Sequence, residues 1–269
     1  MLQQIKETAS FIKGRVTIEP EVGIILGTGL GGLVKDITEQ QVLEYKDIPN
    51  FPVSTVEGHS GRLIFGMLGG KKVVAMQGRF HFYEGYNMSQ VTFPVRVMKL
   101  LGIKRLFVSN ASGGMNPDFE IGELMIINDH INLIPNALLG PNIAEFGPRF
   151  PDMSVPYDKD MIALAKKVGE KLGFKLSEGC YVSTTGPTFE TPKEYQYFRI
   201  IGGDAVGMST TPEVIVARHM NIPVFAMSII TDLGVPGKIV EVSHEEVQKV
   251  GAASEKKMTA IMQEMLRNL

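Results

Sequence analysis

Residues 22–33 read V-G-I-I-L-G-T-G-L-G-G-L, an apolar run that leads directly into a turn rich in glycine. An unbroken apolar run of this length is typical of a strand that is covered on both faces. Successive glycines after such a strand let backbone N–H groups converge on an anion, and the Thr28 hydroxyl adds a donor. The stretch therefore predicts a buried strand with an anion-binding turn at its end.

The same glycines support a second interpretation. Gly27, Gly29 and Gly32 match the G-x-G-x-x-G pattern of dinucleotide-binding turns. No strand ends in an acidic residue about 20 positions later, as that fold requires, because Glu44 and Asp47 lead into I-P-N-F-P. An anion cradle, a plain tight turn and a nicotinamide dinucleotide site therefore all stay open at this point.

Strand-like and helix-like segments alternate on both sides of the glycine turn. This alternation predicts an α/β protein with helices packed on the faces of a sheet. No repeat, low-complexity run or linker divides the chain, so we expect one domain over residues 1–269. Predicted strands cover 22–26, 63–68, 72–76, 105–109, 124–127, 180–185, 204–206 and 223–230, and predicted helices cover 2–13, 89–101, 158–172, 192–201, 211–220 and 244–267.

Composition limits the class of protein. The chain has 44% hydrophobic and 21% charged residues and a formal net charge of −2. It lacks the basic excess of a nucleic-acid binder, so no nucleic-acid partner is expected. The single cysteine, Cys180, excludes an internal disulfide and fits a reducing compartment. No secretory signal and no run of 18 apolar residues is present, so we expect a cytoplasmic protein with no membrane partner.

The segment 78–86 reads G-R-F-H-F-Y-E-G-Y and combines a cation, an imidazole and a phenol. In an extended chain Arg79, His81 and Tyr83 point to the same side. A guanidinium offers a planar fork to phosphate oxygens, and an imidazole adds a donor. The alternative is a sheet-edge segment in which Arg79 forms a structural salt bridge.

Two further segments contain candidate anion contacts. Small residues follow the predicted strand 105–109, where the backbone N–H of Ala111 could approach an anion, although an ordinary turn explains the pattern equally well. In G-M-S-T-T-P-E at 207–213, Ser209 precedes a predicted helix. A serine at that place caps the helix or contributes to an anion site at its start.

Three groups have the chemistry to bind a flat heterocycle. Phe189 and Glu190 place an aromatic ring beside a carboxylate in the loop before a predicted helix, although Glu190 could instead merely cap that helix, where a negative charge is favoured. Asp232 follows the predicted strand 223–230. Ser243 and Glu246 predict a capping box that opens the last helix. His244 lies at the start of that helix, where the helix dipole disfavours a protonated imidazole, so a ligand contact is the better interpretation. The histidines show no spacing typical of zinc, and we expect no metal site.

Three segments, G-R-F-H-F-Y-E-G-Y, G-P-T-F-E-T-P and G-M-S-T-T-P-E-V, resemble motifs of the trimeric class of purine nucleoside phosphorylases and occur in the family's order. The match extends over nearly the whole chain. The resemblance implies a single α/β domain with a mixed, partly closed β-sheet flanked by helices. It also implies phosphorolysis of a purine nucleoside to free base and ribose 1-phosphate, with phosphate as co-substrate, no cofactor and a homotrimer.

The resemblance also assigns roles to individual residues. It implies that phosphate is bound by Thr28, Arg79, His81, the backbone of Ala111, and Ser209. It implies that the nucleoside is bound by Tyr83, Phe189, Glu190, Met208, Asp232 and His244, and by Phe150 of a neighbouring subunit. Catalytic roles fall to His81, Glu190 and Asp232. The family more often has serine at the position of Thr28, and threonine keeps the hydroxyl.

Asp232 departs from the pattern of family members that prefer 6-oxopurines, which usually carry asparagine there. Members that act on 6-aminopurines, such as methylthioadenosine phosphorylases, carry aspartate. Glu190 instead fits the N1–H donor of inosine and guanosine, which adenosine lacks, and a mismatch there costs on the order of 10⁴ in discrimination. We therefore expect inosine and guanosine to be preferred, with dual acceptance of adenosine as the main variant. Our hypothesis is that Asp232 is protonated when it meets N7 or O6 of the base.

Two other classes of protein remain as alternatives. A nicotinamide-dependent oxidoreductase rests on the glycine turn alone. A purine-binding protein without catalysis would use the same scaffold, but such a protein has no need of Arg79 and His81 beside Glu190 and His244.

Overall fold

The computed structural model describes residues 1–28, 30–53 and 61–269, so Gly29 of the glycine turn lies outside the described residues. The strands are β1 (Val22–Leu26), β2 (Thr38–Glu44), β3 (Arg62–Leu68), β4 (Lys71–Gln77), β5 (Arg105–Gly114), β6 (Leu124–Asn132), β7 (Leu176–Ser183), β8 (Ala205–Gly207) and β9 (Val224–Leu233). The helices are α1 (Leu2–Lys13), α2 (Met88–Val91), α3 (Phe93–Leu101), α4 (Lys159–Leu172), α5 (Pro192–Ile200), α6 (Thr211–His219) and α7 (His244–Asn268).

All these strands belong to one mixed sheet, in the order β2-β3-β4-β1-β5-β8-β7-β6-β9. β1 pairs in parallel with β4 and β5, whereas β3 pairs antiparallel with β2 and β4. β5 also pairs with β9, so that β5, β8, β7, β6 and β9 form a closed ring. The single-domain α/β fold with a mixed, partly closed sheet is confirmed.

β1 is buried along its whole length because helices cover both faces of the sheet. Neighbouring strand residues point to opposite faces. Ile25 packs in a core cluster with Ile5 of α1 and Met98 of α3. Ile24 packs in a second cluster with Met161 of α4 and Met262 of α7, among others. The continuous apolar run at 22–26 thus follows from burial on two sides.

The predicted elements differ from the structure in several places. The predicted strands 124–127, 180–185 and 223–230 correspond to β6, β7 and β9, which have other bounds. β2 was not predicted, because it is polar, exposed along most of its length and lacks alternation of apolar residues. The predicted strand end at residue 109 is wrong, since β5 continues to Gly114. The predicted helix 89–101 is two helices that meet at Thr92. Pro94, which follows this junction, has no N–H to continue the hydrogen-bond ladder of α2.

Among the residues with described positions, no helix is long and apolar enough to cross a membrane.

Candidate active site

One cavity of about 460 Å³ opens where β5, β8 and β9 meet the start of α7. Arg79 and Glu190 share this cavity, although they lie far apart in the sequence. Of the candidate site residues, all but Phe150 line it: Thr28, Arg79, His81, Tyr83, Ala111, Phe189, Glu190, Met208, Ser209, Asp232 and His244.

The glycine turn lies against the backbone of β5. A Cβ atom at Gly27 would lie 2.8 Å from both the Cα of Asn110 and the carbonyl oxygen of Ser109, so this close approach requires glycine. Residues 31–36 form a 3₁₀ helix. The turn therefore does not open an α-helix, and the dipole of such a helix is what a dinucleotide-binding turn would use. This geometry argues against the dinucleotide site and is compatible with both the anion cradle and the plain tight turn.

Gly27→Ala tests this close approach. The added methyl group has to displace the turn from β5, and overpacking of this kind costs about 1–3 kcal/mol. We therefore expect a loss of about that size in the free energy of unfolding, measured with urea, and weaker binding of inorganic phosphate by calorimetry. Gly14→Ala is the control, because Gly14 has a right-handed helical backbone and its nearest contacts are 3.6 Å away. Equal stability of the two variants would contradict the requirement.

A gap between strands exposes part of the β5 backbone to the cavity. The pairing of β1 with β5 ends at Val108, and β8 pairs with β5 only at Gly113 and Gly114. Arg79 Nη1 donates to the carbonyl of Ser109 within this gap, at 2.7 Å. Because alternate residues of a strand point their backbone groups to the same edge, the Ala111 N–H points into the gap as well.

Arg79 is both a lining residue and a member of a buried ion pair. The residue is 1% exposed, and its Nε donates to Glu213 Oε1 at 3.0 Å. Its Nη1 donates to Ser209 Oγ at 3.0 Å. The salt bridge that was one of the two interpretations of Arg79 is therefore present, and it lies within the cavity wall. Glu213, which was not singled out from the sequence, lies in the first turn of α6, where the helix dipole favours a negative charge.

His81 is oriented by Glu84, three residues further along the chain. His81 Nδ1 lies 3.1 Å from Glu84 Oε1, and the His81 backbone N–H donates to the same oxygen at 2.8 Å. Burial is the largest influence on the imidazole and lowers the pKa of His81. A ring with a lowered pKa is neutral at pH 7, and contact with a carboxylate favours the tautomer with the proton on Nδ1.

The expected extended alternation from Arg79 to Tyr83 is wrong beyond His81. Phe82–Glu84 form a 3₁₀ turn that His81 and Glu84 cap reciprocally. Tyr83 reaches the cavity from this turn, and its ring stacks on the His81 ring with centroids 4.7 Å apart. The i, i+3 spacing of His81 and Glu84 was the signal that could have predicted the turn.

Ser209 does not cap α6, so that interpretation is wrong. The N-cap residue is Thr210, which makes no side-chain capping bond and has a positive φ of 74°. A threonine in this conformation costs about 1–3 kcal/mol. Asn110 holds it in place, since Asn110 Nδ2 donates to Thr210 Oγ1 at 2.8 Å and Ser228 Oγ donates to Asn110 Oδ1 at 2.6 Å. This buried network directs Ser209 Oγ towards Arg79.

Glu190 does not cap α5 either. The cap is Thr191, whose hydroxyl accepts from the Glu194 N–H at 3.2 Å. Glu190 lies in the cavity wall and accepts a hydrogen bond from Thr184 Oγ1 at 3.1 Å. Burial raises the pKa of Glu190, and the nearby charge of Asp232 raises it further. Phe189 lies beside it at the partly exposed rim.

Asp232 is buried and held by two hydroxyl groups. Thr231 Oγ1 donates to Asp232 Oδ1 at 3.0 Å, and the Tyr195 hydroxyl donates to Asp232 Oδ2 at 3.1 Å. Burial raises the pKa of Asp232, while the two donors lower it. Neither donor was predicted. No local pattern indicated Tyr195, because its importance depends on a contact 37 residues away along the chain.

His244 is the first residue of α7, whose predicted capping box by Ser243 and Glu246 is confirmed. Its Nε2 lies 3.0 Å from Gln248 Nε2, one turn further along the helix.

Phe150 is 87% exposed and lines a separate cavity with Arg149. Within this chain, therefore, Phe150 does not join the other candidate site residues.

Over residues 1–28, 30–53 and 61–269, no group of three or more histidine, cysteine, aspartate or glutamate residues could hold a metal ion.

Comparisons with known proteins agree with this geometry. A family model described as "Phosphorylase superfamily" matches residues 21–267. "Purine nucleoside phosphorylase 1" of Bacillus subtilis is 53% identical over 251 residues, covering 93% of each chain. "Purine nucleoside phosphorylase" of Rattus norvegicus is 47% identical over 275 residues, covering 99% of this chain and 95% of the relative.

Solved structures match equally well. The purine nucleoside phosphorylase of Schistosoma mansoni in complex with adenosine superposes with a TM-score of 0.95 at 45% identity, covering 99% of this chain and 97% of that chain. Its complex with inosine gives a TM-score of 0.94 at 44% identity, covering 99% and 96%. This chain therefore belongs to the phosphorylase superfamily and, within it, to the purine nucleoside phosphorylases.

Proposed function

We propose that this protein cleaves purine (deoxy)ribonucleosides with inorganic phosphate, releasing the free base and (deoxy)ribose 1-phosphate, and that inosine and guanosine are its preferred substrates. The observation that carries the proposal is a single cavity lined by two sets of residues. One set has side chains that suit phosphate, and the other is a pair of carboxyl groups that suit a purine. The first set contains Arg79, His81 and Ser209, and the second contains Glu190 and Asp232. The relatives named above, at 53% and 47% identity, support the same activity.

The reaction explains why both kinds of group are needed. The C1′–N9 bond breaks while a phosphate oxygen bonds to C1′, so positive charge builds on the sugar and the purine takes the electron pair of the broken bond. Bound phosphate stabilises the first charge, and a donor near N7 stabilises the second. One preorganised donor of this kind is worth about 3–4 kcal/mol, or a factor of 10²–10³ in rate. No metal or organic cofactor is required by these steps.

We assign phosphate to Thr28, Arg79, His81, the Ala111 N–H and Ser209. The Arg79 charge, the N–H in the strand gap and the two hydroxyls supply donors. The neutral His81 ring, protonated at Nδ1 towards Glu84, has a lone pair at Nε2 that accepts from the protonated oxygen of hydrogen phosphate.

We assign the nucleoside to the rest of the cavity. The ribose lies against Tyr83 and Met208, and His244 contacts its 5′-hydroxyl. The purine lies beside Phe189 and is bound by Glu190 and Asp232, to which we assign catalytic roles together with His81.

The preference for 6-oxopurines rests on Glu190. An ionised Glu190 accepts a hydrogen bond from the N1–H of inosine and guanosine, whereas N1 of adenosine is itself an acceptor. A carboxylate that faces an acceptor leaves two buried groups unpaired, which is costly. Asp232 is the residue through which adenosine could be accepted as well, because a carboxyl can accept from the 6-amino group.

The direct test is release of hypoxanthine from inosine with and without inorganic phosphate, beside the same assay with adenosine. We expect release only with phosphate and a higher kcat/KM for inosine. Release without phosphate would indicate hydrolysis instead, and tight binding of NAD with no phosphate dependence would indicate the oxidoreductase.

Asp232→Asn tests the protonation hypothesis. A protonated Asp232 donates to the leaving purine, so activity is full below the pKa of Asp232 and falls as the pH rises through it. Asparagine donates at every pH, so we expect the part of the alkaline decline in kcat/KM that Asp232 causes to disappear. The nucleoside is the same in both assays, so its own ionisation cancels. Identical pH–rate profiles for the two proteins would count against the hypothesis.

We also propose a homotrimer in which Phe150 of one subunit closes the ribose pocket of the next. The exposed Phe150 ring has a cavity of about 520 Å³ beside it, which is lined by further apolar residues such as Leu139 and Ile215. We expect light scattering to give a mass of about three chains, and Phe150→Ala to raise the KM for inosine more than it changes kcat. A monomer with full activity would contradict the proposal.

A further inference from the structure

Tyr195 is wedged between the ends of two strands of the cavity wall. The residue belongs to α5 and is 3% exposed. A Cβ atom at Gly234 would lie 2.2 Å from the Tyr195 ring, and one at Gly113 would lie 3.3 Å from its hydroxyl. Glycine at both positions therefore leaves the space that the ring occupies, at the ends of β5 and β9. The ring cannot move far, so the position of its hydroxyl is well defined.

The Tyr195 hydroxyl contacts the carboxyl pair that we assign to the base. It donates to Asp232 Oδ2 at 3.1 Å and also interacts with Glu190. Burial raises the pKa of Tyr195, and the charges of Asp232 and Glu190 raise it further. The phenol therefore keeps its proton over the whole working range of pH and remains a donor.

We propose that Tyr195 is a positioning residue that determines the pH range over which Asp232 carries its proton during phosphorolysis. The inference rests on the proposed function, because it concerns the donor to the leaving purine. A hydroxyl that donates to a carboxylate stabilises the ionised form. Tyr195 thus sets an upper pH limit to activity without touching the bond that breaks.

The other polar and charged groups around Asp232 also influence whether its carboxyl is protonated. Thr231 Oγ1 donates to the second oxygen and favours ionisation in the same way as Tyr195. Glu190 lies in the loop before α5, Glu241 lies in the segment before α7, and His244 opens α7. A negative charge on either glutamate favours protonated Asp232, and a protonated imidazole at His244 disfavours it.

Tyr195→Phe is the matching variant, because phenylalanine keeps the ring between Gly113 and Gly234 and removes only the hydroxyl. A hydrogen bond to a charged group is worth enough to move a pKa by about one unit or more. We expect the alkaline decline of kcat/KM for inosine to move to higher pH by about one unit. In the Asp232→Asn background, Tyr195→Phe should cause no shift.

Two further variants complete the test. Tyr197→Phe is the control, because Tyr197 is on the same helix but is 53% exposed and lies outside the cavity lining; its profile should match the wild type. Thr231→Val removes the other donor to Asp232 and should move the decline in the same direction, which keeps the inference testable if Tyr195→Phe folds poorly.

The alkaline decline of kcat/KM could instead stay at the wild-type pH in both donor variants, with kcat/KM lowered equally at all pH values. That result would assign Tyr195 a purely structural role. It would overturn this inference and leave the proposed function standing. Wild-type release of base without phosphate dependence would overturn the proposed function and this inference with it.

Discussion

Arg79→Ala is expected to lower kcat/KM for inosine phosphorolysis by about 10³ or more and to destabilise the protein at the same time. The loss of activity follows from removing the cation that we assign to phosphate, since charged hydrogen bonds are strong and a preorganised donor is worth 10²–10³ in rate. The loss of stability follows from Glu213, which is buried and whose Oε1 would lose its 3.0 Å contact with Arg79. Breaking a buried ion pair on one side costs about 3–5 kcal/mol.

A double variant separates the two effects. Replacing both partners, as in Arg79→Met with Glu213→Leu, removes the unpaired charge and should restore most of the free energy of unfolding. It should not restore phosphorolysis, because the cation is still absent. Urea unfolding and the phosphate-dependent assay measure the two quantities independently. Recovery of activity in the double variant would contradict the role of Arg79 in binding phosphate.

Glu190→Ala is expected to lower kcat/KM for inosine by about 10² or more, because the N1–H of the base loses its charged acceptor. Adenosine has no N1–H, so its kcat/KM should change by less than tenfold. Glu190→Gln should favour adenosine further, since the amide donates to N1. Measuring both nucleosides with each variant gives the change in preference directly.

The control for Glu190 is Glu194→Gln. Glu194 lies on the first turn of α5 and completes the capping box with Thr191, a role that glutamine also fills. The Glu194→Gln variant should leave the ratio of kcat/KM for inosine to kcat/KM for adenosine unchanged. If Glu190→Ala lowered kcat/KM by the same factor for both nucleosides, Glu190 would support the structure of the loop rather than recognise the base.

Local patterns were sufficient for much of the architecture. The apolar run at 22–26 predicted β1, and the serine and glutamate of the capping box predicted the start of α7 at His244. These features depend on burial or hydrogen bonding within a few consecutive residues, which a sequence displays directly. β2 was missed for the same reason, because an exposed edge strand has no apolar pattern to display.

Roles within the site needed more than local patterns. Arg79 and His81 were candidates by residue type and spacing, whereas Met208 and Phe150 were candidates only through the resemblance to the phosphorylases. The shared cavity follows from the packing of β5, β8 and β9, and no single segment of the sequence contains it.

The α/β class, most of the strands and helices, and the residue types that can bind an oxyanion and a purine were thus predictable from the amino-acid sequence. The partners of the site residues became visible in the folded chain: Glu213 for Arg79, 134 residues away, and Tyr195 for Asp232. The same holds for the closure of five strands into a ring and for the burial that raises the pKa values of Glu190 and Asp232. The reason is physical, since hydrogen bonds and desolvation between distant segments depend on three-dimensional packing and leave no periodic pattern in the chain.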